Sequence, residues 1–158
     1  MSAEGLLELL GTIDRHRALL NELFDYSAEF RLRKIDEAPW EKSTGLAAAG
    51  LLENYYTCAE TIFLRISQFF ENHLPKDRWH TDLLEKMTIH IEATRPRVLT
   101  EDSAVLLTEL LRFRHFKRYY FQLDLDRDKI RYLFSVMERL HPALHRDLDT
   151  FTQHLRAI

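Results

Sequence analysis

The sequence predicts an all-α fold, an antiparallel bundle of four to five helices forming one domain over residues 1–158. Three observations carry that prediction. Apolar residues recur at spacings of three, four and seven along nearly the whole chain, the mark of helices with one buried face. Only four glycines and four prolines occur in 158 residues, too few for a β fold that turns every ~8–12 positions. Hydrophobic residues make up 46% and charged residues 30%, a balance that supports a packed core rather than disorder.

The elements follow in order. Leu6, Leu10, Ile13, Leu20, Leu23, Phe24 and Phe30 define the first helix, about residues 4–36. Ser2 is placed to cap it, and Pro39 ends it because the residue before a proline avoids the helical region. The second helix opens after Ser43 or Thr44 and runs to about His73, with Leu46, Leu51, Tyr55, Tyr56, Ile62, Phe63, Ile66, Phe69 and Phe70 as its apolar members. Leu74-Pro75 stops it, and Pro75 to His80 reads as a loop. Thr81 is a plausible cap for a short third helix, about 81–94, closed by Pro96. Thr100, Asp102 or Ser103 caps a fourth, about 102–122, and Asp126 caps a fifth. Pro142 interrupts that last pattern, yet Ile130, Phe134, Met137, Leu140, Leu144, Leu148, Phe151 and Leu155 stay in phase. A kink and a restart with Pro142 in the first turn both fit.

Composition narrows the function. The one cysteine, Cys58, rules out an intrachain disulfide and a cysteine-based zinc site, and fits a reducing, cytoplasmic compartment. It sits mid-helix with no base nearby, as a packed thiol does. No apolar run approaches the roughly 18 residues of a membrane span. Met1-Ser2-Ala3-Glu4-Gly5 lacks the basic start of a signal peptide. The net charge of −3 gives no bulk attraction to nucleic acid, so an RNA site must come from a local patch.

That patch is Leu111 to Phe121. Arg112, Arg114, Lys117 and Arg118 are interleaved with Phe113, Phe116, Tyr119, Tyr120 and Phe121. At about 100° per residue, Leu106, Leu110, Phe113, Phe116, Tyr120 and Phe121 share the core arc. Arg112, His115, Arg118, Tyr119 and Gln122 take the opposite arc, with Arg114 at the boundary. Arg114 and Arg118 are one turn apart and can grip a phosphate between them. They also repel by a few tenths of a kcal/mol, so an anion must offset them: a ligand, or a buried acid such as Glu60. His141 and His145 share a helix face but lack the glutamate of a zinc-protease helix. Asp124, Asp126 and Asp128 alternate as in a calcium loop, but Lys129 and Ser135 stand where that loop needs glycine and glutamate. No metal or cofactor is expected.

Two blocks resemble the HepT-like branch of the HEPN superfamily. The first runs from Leu46 to Met87, with Glu53-Asn54-Tyr55-Tyr56, Glu60, Leu74-Pro75 and Trp79-His80-Thr81-Asp82-Leu83-Leu84. The second is Arg114-His115-Phe116-Lys117-Arg118-Tyr119-Tyr120-Phe121, with Leu125-Asp126 after it. The resemblance implies a helical bundle, usually a homodimer, and a minimal nucleotidyltransferase partner in a toxin–antitoxin pair. It also implies a metal-independent ribonuclease. In that family an Arg steadies the scissile phosphate, and a His separated from it by four to six residues moves the 2′-hydroxyl proton. A Tyr two residues further receives AMP from the partner.

Here Arg114 matches the arginine, Tyr119 stands at the histidine position and Phe121 at the modified tyrosine. A phenol with a pKa near 10 is a poor base at neutral pH. The resemblance therefore implies altered or lost ribonuclease chemistry at Arg114, His115, Arg118 and Tyr119, in a cleft between two copies of the fourth helix. His115 would have to reach the phosphate from the other protomer. Arg112, Arg114, Lys117 and Arg118 would hold single-stranded RNA, with Glu60 and Tyr120 in support. Two other readings stay open: a non-catalytic adaptor for a nucleotide, RNA or the nucleotidyltransferase, and a purely structural basic helix whose Arg114 and Arg118 pair with acids.

Overall fold

The computed structural model describes residues 2–71 and 79–158. Helix α1 (Ala3–Phe30) continues into one π-helical stretch, Arg31–Asp36. Then come α2 (Lys42–Phe70), α3 (Trp79–Met87), α4 (Glu101–Tyr119) and α5 (Arg127–Arg156). No strand occurs among the described residues, and the architecture is an all-α bundle. A five-residue link joins α1 to α2, and the two pack along their length, which sets them antiparallel. Helix α5 packs on α1, α2 and α4, and the short α3 bridges α2 and α4.

The core is apolar and aromatic. Ile13 and Leu20 of α1, Tyr55, Ile62, Phe63 and Ile66 of α2, and Phe134, Leu144 and Phe151 of α5 are all fully or almost fully buried. Each such side chain contributes roughly 1.5–3 kcal/mol relative to exposure. Cys58 is buried among them; its thiol donates to the His16 carbonyl, and burial pushes its pKa up to about 11.

Three local signals hold. The Ser2 hydroxyl accepts from Gly5 N–H, Thr100 from Ser103 N–H and Asp126 from Lys129 N–H, each satisfying a helix-start donor. Others are corrected. Helix α2 begins at Lys42 with Glu41 in the cap position and no side-chain cap; the Ser43 hydroxyl turns back to the Glu41 carboxylate instead. Trp79 and His80 are helical rather than loop, so Thr81 lies inside α3. The expected end of the second helix at His73 and its Leu74-Pro75 stop lie outside the described residues.

Helix α3 stops at Met87, seven residues before the expected end. The Met87 carbonyl receives the N–H groups of Val98 and Leu99, and the buried Arg95 guanidinium donates to the carbonyls of Lys86, Ile89 and Pro96. These long-range donors take the place of a further turn. Arg95 also pairs with Glu71 at the end of α2. Helix α4 ends at Tyr119, three residues early, so Phe121 leaves the core arc and is 85% exposed. Phe116 is also exposed, stacked on Tyr120. Helix α5 runs unbroken through Pro142, so the restart does not occur.

Candidate functional site

Glu60 lies on α2 with its carboxylate 6% exposed. Both oxygens are engaged. Oε1 accepts from Arg114 Nη1 at 3.2 Å, and Oε2 lies 2.7 Å from His80 Nδ1. Arg114 Nη1 also donates to the Thr57 hydroxyl at 3.1 Å. The Arg114 guanidinium carbon lies 4.9 Å from the centre of the Tyr56 ring, within cation–π range. Residues of α2, α3 and α4 thus meet at one buried carboxylate.

The arrangement follows from local sequence. Glu60 faces inward because it lies on the face of α2 that carries Tyr56 and Phe63, both buried. Such a carboxylate needs a partner, and Arg114 sits at the edge of the core arc of α4, where its stem packs and its head reaches across. The Tyr56 hydroxyl is buried beside Glu60 without a well-aligned hydrogen bond. Burial, and then the Glu60 charge, raise its pKa far above the usual phenol value, with Arg114 pulling the other way. Tyr56 is therefore a neutral wall of the site.

An open groove of about 670 Å³ adjoins this cluster, lined among others by Glu53, His80, Arg114, Lys117, Arg118 and Phe121. The cations expected to hold a phosphate divide in two. Arg114, Lys117 and Arg118 line this groove, whereas Arg112 and His115 line a second one of about 570 Å³ between α3 and α4. The His115 ring is edge-on to His80 at 5.9 Å, so His80 stands between the two. Burial, then His80 and the Arg114 and Arg118 charges, lower the His115 pKa against the opposing pull of Glu60.

Tyr119 is 74% exposed at the end of α4, with the Arg118 guanidinium 5.9 Å from its ring centre. Tyr120 is half-buried, lines the first groove and donates its hydroxyl to the Asp124 carbonyl. The structural expectation is met for Arg114, which pairs with Glu60, but not for Arg118, which has no acid partner among the described residues.

His80 is the residue that sequence reasoning passed over. The sequence carries it as the end of an expected loop and within the Trp79–Leu84 stretch of the family resemblance, which assigns it no role; its ring lies 3.6 Å from that of Trp79.

The other histidine pair is structural. His141 Nδ1 faces the Tyr55 hydroxyl at 2.8 Å and Nε2 faces Asn21 Oδ1 at 3.0 Å. His145 takes a bond from Arg17. Both nitrogens of His141 are occupied, which leaves no ligand position. No group of three or more His, Cys, Asp or Glu that could hold a metal occurs among the described residues. No helix among them is long and apolar enough to cross a membrane.

The model of a family of HepT-like proteins matches residues 47–155. That span holds α3, α4, nearly all of α2 and of α5, every residue of the cluster, and the lining of both grooves except Leu46. No curated protein and no solved structure matches the chain. The chain belongs to the HepT-like family of helical proteins.

Proposed function

We propose that the chain, as a single HepT-like domain over residues 1–158, is the RNA-directed component of a toxin–antitoxin pair and cleaves single-stranded RNA without a metal. One observation carries this reading: Arg114, Lys117 and Arg118 line one open groove of about 670 Å³, with His80 in the same wall. A groove lined by cations suits a single-stranded backbone, whose phosphates they neutralise. Arg114 is held in place by Glu60 and presents its remaining N–H groups to a phosphate. Arg118 and Lys117 lie within the last turn of α4, where they extend the anion track.

A homodimer and a minimal nucleotidyltransferase partner belong to the same proposal, on the family relationship. Tyr119, exposed beside the groove cations, is a surface residue in this reading and not the base. The adaptor reading draws on one specific observation, the tyrosine at the family's histidine position. It differs by having binding without product.

The experiment is incubation of the purified protein with single-stranded RNA in a chelator, with products resolved on a gel. Cleavage that disappears on Arg114→Ala supports the proposal. Salt-sensitive binding with intact RNA, with and without the nucleotidyltransferase, favours the adaptor.

A further inference from the structure

We infer that His80 of α3 accepts the 2′-hydroxyl proton in this protein, with Glu60 of α2 holding its ring, so that the acid–base group comes from a different helix than the phosphate-binding Arg114. The inference rests on the ribonuclease reading and names the residue that performs its proton transfer.

The geometry at His80 decides its tautomer. A carboxylate oxygen 2.7 Å from an imidazole nitrogen requires a hydrogen between them, so Nδ1 carries the proton and donates it to Glu60 Oε2. The same nitrogen cannot also accept from Arg114. Nη2, 2.9 Å from Nδ1 and 3.4 Å from Nε2, therefore lies against the ring instead of claiming a lone pair on Nδ1. Nε2 is then the unprotonated nitrogen; Arg114 Nη2 approaches it only at 3.4 Å, and it is the nitrogen that can act as a base. A carboxylate behind an imidazole fixes its tautomer and orientation, and stabilises the imidazolium once the far nitrogen has taken a proton. Glu60 is suited to that task because it is buried and both of its oxygens are engaged.

Position supports the same assignment. His80 and Arg114 line the same groove, so a phosphate held by Arg114 has His80 next to it. His115 lines the other groove, and Tyr119 is a phenol facing solvent. Among the residues around Arg114, His80 combines an imidazole, a carboxylate behind it and contact with the phosphate-binding arginine.

The step balances without a metal or redox partner. His80 Nε2 takes the proton of the ribose 2′-hydroxyl, and the 2′-oxygen attacks the adjacent phosphorus. The phosphorus–5′-oxygen bond breaks. The departing 5′-oxygen takes a proton from a water molecule, and the imidazolium returns its proton to the hydroxide left behind. The products are a 2′,3′-cyclic phosphate and a 5′-hydroxyl end.

The test uses the full chain and a short single-stranded RNA in a chelator, comparing wild type with His80→Gln, His80→Ala and Glu60→Gln. His80→Gln keeps a donor for Glu60, so it guards against loss of fold. Cleavage should fall about 10²–10⁴-fold in both His80 variants, with RNA binding retained. Added imidazole should restore part of the rate to His80→Ala and none to His80→Gln, which a structural role would not produce. Glu60→Gln should cleave at an intermediate rate. Wild-type cleavage that His80→Gln leaves unchanged overturns the inference and leaves the ribonuclease reading standing. Wild type that does not cleave overturns both.

Discussion

Arg114 on α4 and Glu60 on α2 lie 54 residues apart in sequence and meet at 3.2 Å, N to O, with both side chains largely buried. The pair joins two helices and orients a guanidinium toward an open groove. Removing the acid leaves Arg114 without its anion, and removing the arginine leaves a buried carboxylate with His80 alone. Arg114→Ala should therefore destabilise the fold by about 1–3 kcal/mol, on the scale of a buried group stripped of its charged partner. A chemical-denaturation midpoint checks this. In a double-mutant cycle, Arg114→Ala with Glu60→Gln should cost less than the sum of the single changes.

Arg95 has a structural role at the end of α3. It is buried, pairs with Glu71 and donates to three carbonyls around the end of α3. Arg95→Ala should cost about 3–5 kcal/mol, because the largely buried Glu71 carboxylate loses its arginine while three carbonyls lose their donor. Thermal unfolding followed by circular dichroism gives the value, and an unchanged midpoint would contradict this role.

Much of the fold was legible because its signals are local. Ser2, Thr100 and Asp126 cap helices through residues three positions away, and the apolar phase of α5 carried it through Pro142. What was missed depends on distant contacts. Helix α3 ends early because Val98, Leu99 and Arg95 return to its last carbonyls. Reading α4 three residues too long put Phe121 in the core. The site was half legible. The Arg114–Glu60 pair could be named from charge and apolar flanks. The role of His80 could not, because it depends on how α3 packs against α2 and α4, and no spacing within one helix encodes that.

Pro142 lies inside α5, exposed, and cannot donate to the carbonyl four residues earlier, that of Glu138. Pro142→Ala restores that donor and removes the ring clash, so it should stabilise the protein by about 1–3 kcal/mol. A higher thermal midpoint is expected. A lower one would mean that the proline ring contributes packing of its own.

His141 makes stability depend on pH. Burial, then the neighbouring His145, lower its pKa to about 4 against the weaker pull of Asp25; His145 is lowered by burial and Arg17. The unfolded chain takes up these protons first, near pH 6.5, so stability is fully present above that pH. It is lost as pH falls toward the folded value. The loss from pH 7 to pH 5 should be about 1 kcal/mol, after discounting for partial exposure. His141→Gln should flatten that part of the profile, as read from urea midpoints at each pH.

Lys117 and Arg118 line the groove and should contribute to binding through phosphates. Alanine at either one should weaken RNA binding across sequences and lower the slope of log affinity against log salt by about 0.7. Fluorescence anisotropy at several salt concentrations reads this. An unchanged slope in both variants would remove the backbone from this groove.

The central claim is that the Arg114 groove cleaves RNA, and the most direct measurement is the initial rate on a fluorophore–quencher single-stranded RNA in a chelator, wild type beside Arg114→Ala. The expected result is steady cleavage by wild type and a loss of about 10²-fold or more in the variant, the scale for removing a positioned electrostatic group. Equal rates in the two proteins, or none in either, would contradict it.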